Sequence, residues 1–546
     1  MSETQNAAIS ASASEIPANN GSGATESVNS QPATGIKAFL HPRVITMLFL
    51  GFSAGVPILL IFSSLSLWLG EAGLKKSAVT FFSWAALGYS FKFVWAPLVD
   101  KLPLPLLTRF LGRRRGWMLL AQFAVIASIA WMAMTDPATG GASLTMMALA
   151  AVALGFSSAT QDIVIDAYRI ESADQDLQAL MSSTYVAGYR IGMLIAGAGA
   201  LFLASRFGST KEVYSYEAWQ LTYGVMAAVM LIGVLTTLII KEPASYRPSE
   251  HKYTTTEYWR FLLVFIVAVL AFVIYFRLSS DLRATPKEYL SELFSNKRLA
   301  STLVETCRLW IGVLIAWLVA RFLVNRNVAN KDMVREAYIE PVVDFFKRYG
   351  WAVALLLLAI IGLYRVSDIV LGVVANIFYQ DIGFSKEQIA VVSKTFGLFA
   401  TIAGGFMGGL LAVRFGVTKI LWLGAALSAI TNLLFVLLAK TGASVPLLYV
   451  VIGADNISAG IATAAFIAFL SSLTNISFTA VQYAIFSSLM TLFPKILGGY
   501  SGSMVEDMGY DNFFVLTALM TVPVLILIPI AGRFINNTVR FAEPGR

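Results

Sequence analysis

Four polar residues recur at helical spacing in one apolar stretch of the chain. They follow one another at steps of four, four and three: Ser158, Asp162, Asp166 and Arg169. This spacing places them on one face of a helix. An ionisable group at the centre of a bilayer costs at least about 2.5 kcal/mol, so such groups pair, face a wet cavity, or bind ions and substrates. We expect Arg190, in the next apolar run, to be the partner of this face; solvation at the cytoplasmic end of the helix is the alternative for Asp166 and Arg169.

Similar polar groups recur in other apolar runs. The predicted substrate-binding or proton-coupling residues are Tyr89, Lys92, Gln161, Asp162, Asp166, Arg190, Arg365, Asp368, Asn376, Lys394, Asp455, Asn456 and Gln482. Cations in such a set suit an anionic ligand, and amides and tyrosines suit sugar hydroxyls and peptide groups. A structural ion pair is the alternative for Arg365 and Asp368, because charges in lipid usually pair.

Composition places these charges in a membrane protein. Of the 546 residues, 57% are hydrophobic and only 13% are charged, which is too little polar surface to coat a soluble globule. The net charge of +8 comes from basic residues between the apolar runs. Such residues orient a chain in the bilayer, so we do not expect nucleic acid as a partner.

Few residues are available for catalysis or for a metal. The single cysteine, Cys307, excludes an internal disulfide and a cysteine metal cluster, and the two histidines, His41 and His251, lie outside the apolar runs. A membrane-embedded enzyme would need an intramembrane histidine or an activated serine. The chain also lacks a GxxxxGKS or GxxxxGKT motif for ATP. We therefore expect a protein that is not an enzyme and has no metal or cofactor.

Fourteen apolar runs are long enough to cross a bilayer, which takes about 20 residues. They lie near 44–68, 77–99, 116–135, 143–168, 178–205, 216–240, 258–277, 302–325, 350–377, 386–413, 418–438, 445–473, 478–497 and 512–537. An even count puts both termini on one side of the membrane. Arginines after the second and last runs make that side cytoplasmic by the positive-inside rule, although the basic loop near 278–300 runs against the rule.

Internal repetition indicates two six-helix halves. Glu71 and Gly73 follow the first run as Asp381 and Gly383 follow a later one, and a basic loop comes after the next run in each case. No signal-peptide pattern opens the chain. The predicted divisions are a disordered cytoplasmic tail at 1–35, an N-terminal half at 40–241, a central insert at 242–349, a C-terminal half at 350–537 and a tail at 538–546. The insert holds two spans and an amphipathic segment that we expect at the cytoplasmic interface.

A charged motif joins the second and third runs. Asp100 closes the second run, and Arg113, Arg114 and Arg115 precede the third. Such an acid and its arginines can pair in one state and separate in another. The motif resembles the cytoplasmic gating motif of the major facilitator superfamily, whose duplicated halves rock about a central site. This implies an all-α membrane fold with twelve core helices in two pseudo-repeated halves, here with two inserted helices. Orientation alone is the alternative role for the arginines.

Longer motifs point to a narrower family. The segments GFSAGVP, FFSWAALGYSFKFVWAPLVD, GRRRGW, SATQDIVIDAYR, GYRIGM, DFFKRYGW, YRVSD and SKTFGLFATIAGG resemble the AmpG-type muropeptide permeases over most of 40–240 and 340–535. The resemblance implies an inner-membrane importer of GlcNAc–anhydroMurNAc, with or without peptide, in cell-wall recycling, and a link to β-lactamase induction. Importers of acetyl-CoA or siderophores share the fold and are the alternatives. We expect proton symport, since no ATP motif is present, and a monomer in the lipid bilayer.

Overall fold

Helices form all the regular structure of the described chain. The computed structural model describes residues 35–74, 87–210, 213–243, 253–279, 284–294, 297–498 and 500–542, and no strand occurs in these ranges. The main helices are α1 (Pro42–Glu71), α2 (87–101), α3 (Arg113–Ala133), α4 (Gly141–Glu171), α5 (Leu177–Arg206), α6 (Tyr216–Ile239), α7 (Thr255–Leu278), α8 (Val304–Asn325), α9 (Lys331–Ala375), α10 (Ala390–Phe415), α11 (Val417–Thr441), α12 (Val445–Ser472), α13 (Ile476–Gly498) and α14 (Ser501–Phe534).

Thirteen of these helices are long and apolar enough to cross a membrane. They coincide with thirteen of the fourteen predicted spans. The other prediction, 77–99, begins among residues 75–86, which lie outside the described ranges. Its described portion is α2, which is helical over Leu87–Phe91, Lys92–Val94 and Ala96–Lys101. The structure is therefore compatible with fourteen spans.

Glycines bring α1 and α5 into backbone contact in the first half. A Cβ atom at Gly188 would lie 1.9 Å from the carbonyl oxygen of Leu48, and one at Gly55 would lie 2.0 Å from that of Tyr189. Any larger residue would push the two helices apart, because real Cβ contacts are never this short. This packing holds Tyr189 and the adjacent Arg190 at a set position beside α1.

Both halves end in matching contacts at the side of the molecule opposite Asp100. The Glu71 carboxylate, at the end of α1, accepts hydrogen bonds from Trp219 Nε1 (2.7 Å) and Ser209 Oγ (2.6 Å). In the second half, Asp381 accepts a short hydrogen bond from the Tyr510 hydroxyl. An aromatic donor of α6 or α14 therefore meets the acid in each half. These are the two acids that the repeat in the sequence aligned.

The helices of the insert lie mostly outside the bundle. Only 11% of the apolar window of α7, and of α8, is buried. Arg308 of α8 donates to Glu305 Oε2 (2.6 Å) and to the carbonyl oxygen of Phe276 in α7 (2.8 Å). Glu305 and Arg308 stand three positions apart in one helix, a spacing that allows this pair. These contacts tie α7 to α8 and leave both helices at the periphery.

The amphipathic segment forms the first part of α9. Met333, Ala337 and Phe345 are buried, whereas Val342 is 41% exposed. Gly350, with a φ of 71°, turns the chain from this segment into the apolar part of α9; this left-handed conformation favours glycine. A second interruption falls at residues 364–365, and the helix resumes as Val366–Asp381.

Candidate functional site

The polar face of α4 meets two residues of α2. The Tyr89 hydroxyl donates to Ser158 Oγ (2.7 Å), and Lys92 Nζ lies 3.7 Å from Asp166 Oδ2. Arg169 Nη2 lies 3.1 Å from Asp166 Oδ1. The face predicted from the spacing is therefore present, but its predicted partner was wrong. Asp166 pairs with Lys92 and Arg169, and not with Arg190, because α2 packs directly on this face of α4.

Asp162 lies one turn away, among tyrosines. Its side chain is only 7% exposed, and its Oδ1 atom makes no hydrogen bond within the described chain. Its charge interacts with Lys92 and with the hydroxyl groups of Tyr185 and Tyr189 from α5. A buried carboxylate with a vacant acceptor atom is suited to bind a proton or a hydrogen-bond donor of a ligand.

Gln161 has a different environment from Asp162. It is fully buried, and its Nε2 donates to Ser53 Oγ of α1 (3.0 Å). The amide therefore joins α4 to α1 inside the first half. This contact favours a structural role over the predicted contact with substrate.

The second half contributes a cationic site at the break in α9. Arg365 Nη1 donates to Thr463 Oγ1 of α12 (2.7 Å) and lies 3.6 Å from Asp368 Oδ2. Asp368 also accepts a short hydrogen bond from Ser428 of α11. Arg190 of the first half interacts electrostatically with Arg365. The two arginines thus bring positive charge from both halves toward the same region, which suits an anionic ligand.

Of the other predicted residues of the second half, Asp455 lies beside this site, and the rest have different surroundings. Asp455 accepts from Thr431 Oγ1 (3.3 Å) and interacts electrostatically with Asp368. Asn456 accepts from Thr401 Oγ1 (2.8 Å), which joins α12 to α10. Lys394 is exposed. The backbone of Asn376 is helical, and its side chain lies outside the described part of the structure.

Gln482 is the clearest departure from the predicted site. Its Nε2 donates to Asp344 Oδ2 (2.8 Å) and to the carbonyl oxygen of Pro341 (2.8 Å). Its Oε1 accepts from Arg348 Nη2 (3.0 Å). All three partners belong to the amphipathic segment of α9. These contacts favour a structural role over the predicted ligand contact, because Gln482 joins that segment to the start of α13.

Charged residues join the halves at one end of the bundle, which we call the arginine-rich end (Asp100, Arg113–Arg115 and Glu171). Arg114 is 1% exposed and donates to Asp100 Oδ1 (2.7 Å) and to Glu171 Oε1 (2.5 Å). Thr479 of the second half donates to the same Glu171 oxygen (2.5 Å). A buried arginine therefore holds two acids, and Glu171 is the first of them to contact the opposite half.

Asp100 itself crosses to the second half. Its carboxylate accepts from the backbone N–H groups of Ala480 (3.4 Å) and Val481 (3.1 Å). These groups lie in the first turn of the helix Thr479–Gly498, where N–H groups lack intrahelical partners. Asp100 thus acts as a cap for a helix of the other half. At this end the halves are closed against each other.

The other two arginines donate to backbone oxygens of the first half. Arg113 Nη1 donates to the backbone oxygen of Asp100 (2.7 Å), and Arg115 Nη2 donates to that of Leu238 at the end of α6 (2.7 Å). Glu242 accepts the backbone N–H groups of Arg114 (2.7 Å) and Arg115 (3.0 Å). Burial raises the pKa of the Glu242 carboxyl despite these donors. Among the described contacts of the predicted gating residues, those with the second half come from Asp100 and from Arg114, whose Nη2 donates to Thr479 Oγ1 (3.5 Å).

Sequence reasoning missed several residues of this end. Glu171 follows Arg169 by two positions, and its charge at the end of an apolar run was a usable signal. Thr479 and Ser471 carried no such signal in the sequence, since hydroxyl residues are common in membrane helices. Only the packing of the halves brings Thr479 to Glu171 and Ser471 to Arg169.

Cavities and clusters elsewhere do not resemble this site. A cavity of about 240 Å³ lies beside Tyr253 and Glu257 of the insert, and one of about 360 Å³ lies beside Phe49 and Ile232 on the outer surface of α1 and α6. Among the residues that the structure describes, no group of three or more His, Cys, Asp or Glu could hold a metal ion. The polar side chains between the halves are therefore the candidate site.

The class of protein follows from the fold and from known proteins. The sequence profile of the Major Facilitator Superfamily matches residues 102–363. The solved structure of the proton:xylose symporter XylE of the same superfamily, bound to 6-bromo-6-deoxy-D-glucose, superposes with a TM-score of 0.58 at 13% identity, over 90% of this chain and 95% of that one. The protein has the fold of a Major Facilitator Superfamily transporter.

Curated relatives narrow the family. "Putative transporter AmpG 4" of Rickettsia felis is 31% identical over 500 residues, which cover 92% of this chain and 99% of that protein. The anhydromuropeptide permease of Escherichia coli K12 is 28% identical over 504 residues, which cover 92% of this chain and 82% of that one. The chain belongs to the AmpG family of transporters, and the resemblance found in its motifs is confirmed.

Proposed function

We propose that this protein is an inner-membrane carrier that imports anhydromuropeptides into the cytoplasm by alternating access and proton symport. The observation that carries the proposal is the paired polar site between the halves. Lys92 and Asp166 occupy one side, and Arg365 with Thr463 occupies the other. Cations suit the carboxylates of the peptide, and tyrosine and threonine hydroxyls suit sugar hydroxyls and amides.

The family supports this choice of substrate. The relative from Escherichia coli K12 is named an anhydromuropeptide permease, and the match covers most of both chains. A ligand with several phosphates, such as acetyl-CoA, would favour a denser arginine cluster. In the candidate site, positive charge from the two halves meets at Arg190 and Arg365, which interact electrostatically.

The distribution of basic residues supports the proposed orientation of the protein in the membrane. By the positive-inside rule we assign the arginine-rich end to the cytoplasm, which puts both termini there. Contacts of Asp100 and Glu171 with the second half close this end. In this state the site is closed to the cytoplasm, which is the state that an importer needs to receive substrate from the periplasm.

Proton coupling is assigned to Asp162. The carboxylate is buried, and one of its oxygen atoms is left without a hydrogen bond among the described residues. Each net positive charge that crosses with the substrate down about 150 mV releases about 3.5 kcal/mol. That energy corresponds to accumulation of about three-hundredfold. Net inward movement of one positive charge, with a proton carried on Asp162, is therefore sufficient to drive accumulation.

Competition for uptake tests the substrate assignment. Purified protein in proteoliposomes is given labelled GlcNAc–anhydroMurNAc–peptide, with unlabelled GlcNAc–anhydroMurNAc, free stem peptide, acetyl-CoA or a ferric siderophore in excess. We expect inhibition by the anhydrodisaccharide and none by acetyl-CoA or siderophore. Uptake inhibited by acetyl-CoA or siderophore alone would overturn the assignment, and release of a cleaved product would indicate an enzyme.

A further inference from the structure

Arg169 is a buried cation that touches both halves. It is fully buried near the end of α4. Within the first half its Nη1 donates to Ser182 Oγ of α5 (2.8 Å). The same nitrogen donates to Ser471 Oγ of α12 (2.7 Å), and the guanidinium lies 5.2 Å from the centre of the Tyr483 ring of α13. Two of its contacts therefore exist only while the halves are closed.

One carboxylate connects this cation to the candidate site. Asp166 Oδ1 lies 3.1 Å from Arg169, and its Oδ2 lies 3.7 Å from Lys92 Nζ. Lys92 and Arg169 thus share the Asp166 carboxylate, and Lys92 also interacts with Asp162. Removing one cation strengthens the hold of Asp166 on the other, because the shared carboxylate is buried in a medium of low dielectric constant.

We propose that Arg169 is a positioning residue that transmits the occupancy of Lys92 to the contact between the halves. The inference rests on alternating access in the proposed function. When the halves separate at the arginine-rich end, Arg169 loses Ser471 and Tyr483 and keeps Asp166 and Ser182. A substrate carboxylate that draws Lys92 away leaves Asp166 to Arg169 alone. Asp166 then draws the guanidinium toward itself and weakens its closed-state contacts with Ser471 and Tyr483. In this way bound substrate lowers the free-energy cost of separating the halves.

A purely structural Arg169, which only holds α4 against α5, makes a different prediction. Two serines distinguish these roles, because both are buried and both also donate to a carbonyl oxygen four residues earlier in their own helix. Ser182→Ala removes a contact inside the first half. Ser471→Ala removes a chemically similar contact between the halves. The two variants should differ in the ratio of separated to closed states only if Arg169 acts between the halves.

The experiment measures the separation of the halves directly. Spin labels are placed on Arg109→Cys and Ser477→Cys, both at exposed positions of the arginine-rich end, in a Cys307→Ala background. Distances between the labels are measured by pulsed electron–electron double resonance in detergent without substrate. Ser471→Ala should raise the ratio of the separated to the closed state about tenfold, the change expected for one hydrogen bond to a charged group. Ser182→Ala should leave it within about twofold.

Two further variants complete the test. Tyr483→Leu removes the other contact of Arg169 with the second half. It should shift the distances in the same direction as Ser471→Ala. Lys92→Gln should shift the distances toward the separated state even without substrate, because it frees Asp166 from Lys92 as bound substrate would. Equal ratios in Ser471→Ala and Ser182→Ala, or an unshifted Lys92→Gln, would overturn the proposal. The serine comparison uses no substrate, so it stands or fails independently of the muropeptide assignment.

Discussion

Replacing Asp100 by alanine should favour separation of the halves at the arginine-rich end. Asp100 accepts the N–H groups of Ala480 (3.4 Å) and Val481 (3.1 Å), so it caps α13 only while the halves touch. Its pair with Arg114 lies within one half and is present in both states, so that term largely cancels. Loss of the cap costs about 0.5–2 kcal/mol, and loss of the interaction with the helix dipole costs about 0.3–1 kcal/mol. A sum of about 2 kcal/mol corresponds to about thirtyfold more of the separated state.

Labelling of a buried cysteine measures this change. Val186 is 5% exposed on α5, and a Cβ atom on Gly405 of α10, in the other half, would lie 3.9 Å from it. In a Cys307→Ala background, Val186→Cys should react with a maleimide only when the halves separate. Its reaction in detergent should be about thirtyfold faster when Asp100→Ala is added, since opening that is fast relative to labelling makes the rate follow the open population.

A matched variant controls for loss of any cap. Asp136 caps the turn Pro137–Thr139 through an N–H group at 2.9 Å, wholly inside the first half. Asp136→Ala should therefore leave the labelling rate within about twofold of the parent. If Asp100→Ala and Asp136→Ala label at the same rate, the contact of Asp100 with α13 does not hold the halves together, and the reasoning fails.

Three further substitutions test other parts of the structure. Asp162→Asn should abolish accumulation but allow substrate exchange, measured by counterflow in proteoliposomes; unchanged accumulation would show that Asp162 carries no proton. Gln161→Ala leaves the Ser53 hydroxyl without its donor, and should lower the free energy of unfolding by about 1–3 kcal/mol, seen as earlier thermal unfolding in detergent. Lost transport with unchanged stability would instead make Gln161 a substrate contact. Trp219→Phe removes the hydrogen bond to Glu71 and should destabilise the fold by a similar amount, with transport per folded molecule unchanged. A loss of transport would show that the Glu71 contact takes part in transport directly.

The membrane-crossing helices were predictable because their signal is local. An apolar run of about 20 residues must be helical in a bilayer, whatever it packs against. The helical face of α4 and the pair of Glu305 with Arg308 were predictable for the same reason, since both lie within one helix. The repeat of Glu71 and Asp381 also appeared in matching contacts, because each closes the first helix of its half.

Partners between helices could not be predicted in this way. Nothing local favours Lys92 over Arg190 as the partner of Asp166, and the packing of α2 on α4 decides it. Gln482 lies in an apolar run, yet the amphipathic segment folds back and supplies Asp344 as its partner. The contacts of Asp100 with α13 join residues about 380 positions apart, which spacing alone cannot relate.

Gradient-driven uptake tests the central claim most directly. Proteoliposomes containing the purified protein are given labelled anhydromuropeptide, with and without an inward proton gradient, and an uncoupler is then added. We predict saturable uptake, accumulation above the external concentration only with the gradient, and release of the accumulated label by the uncoupler. Absence of anhydromuropeptide uptake, or accumulation that the uncoupler leaves unchanged, would contradict a proton-driven muropeptide carrier.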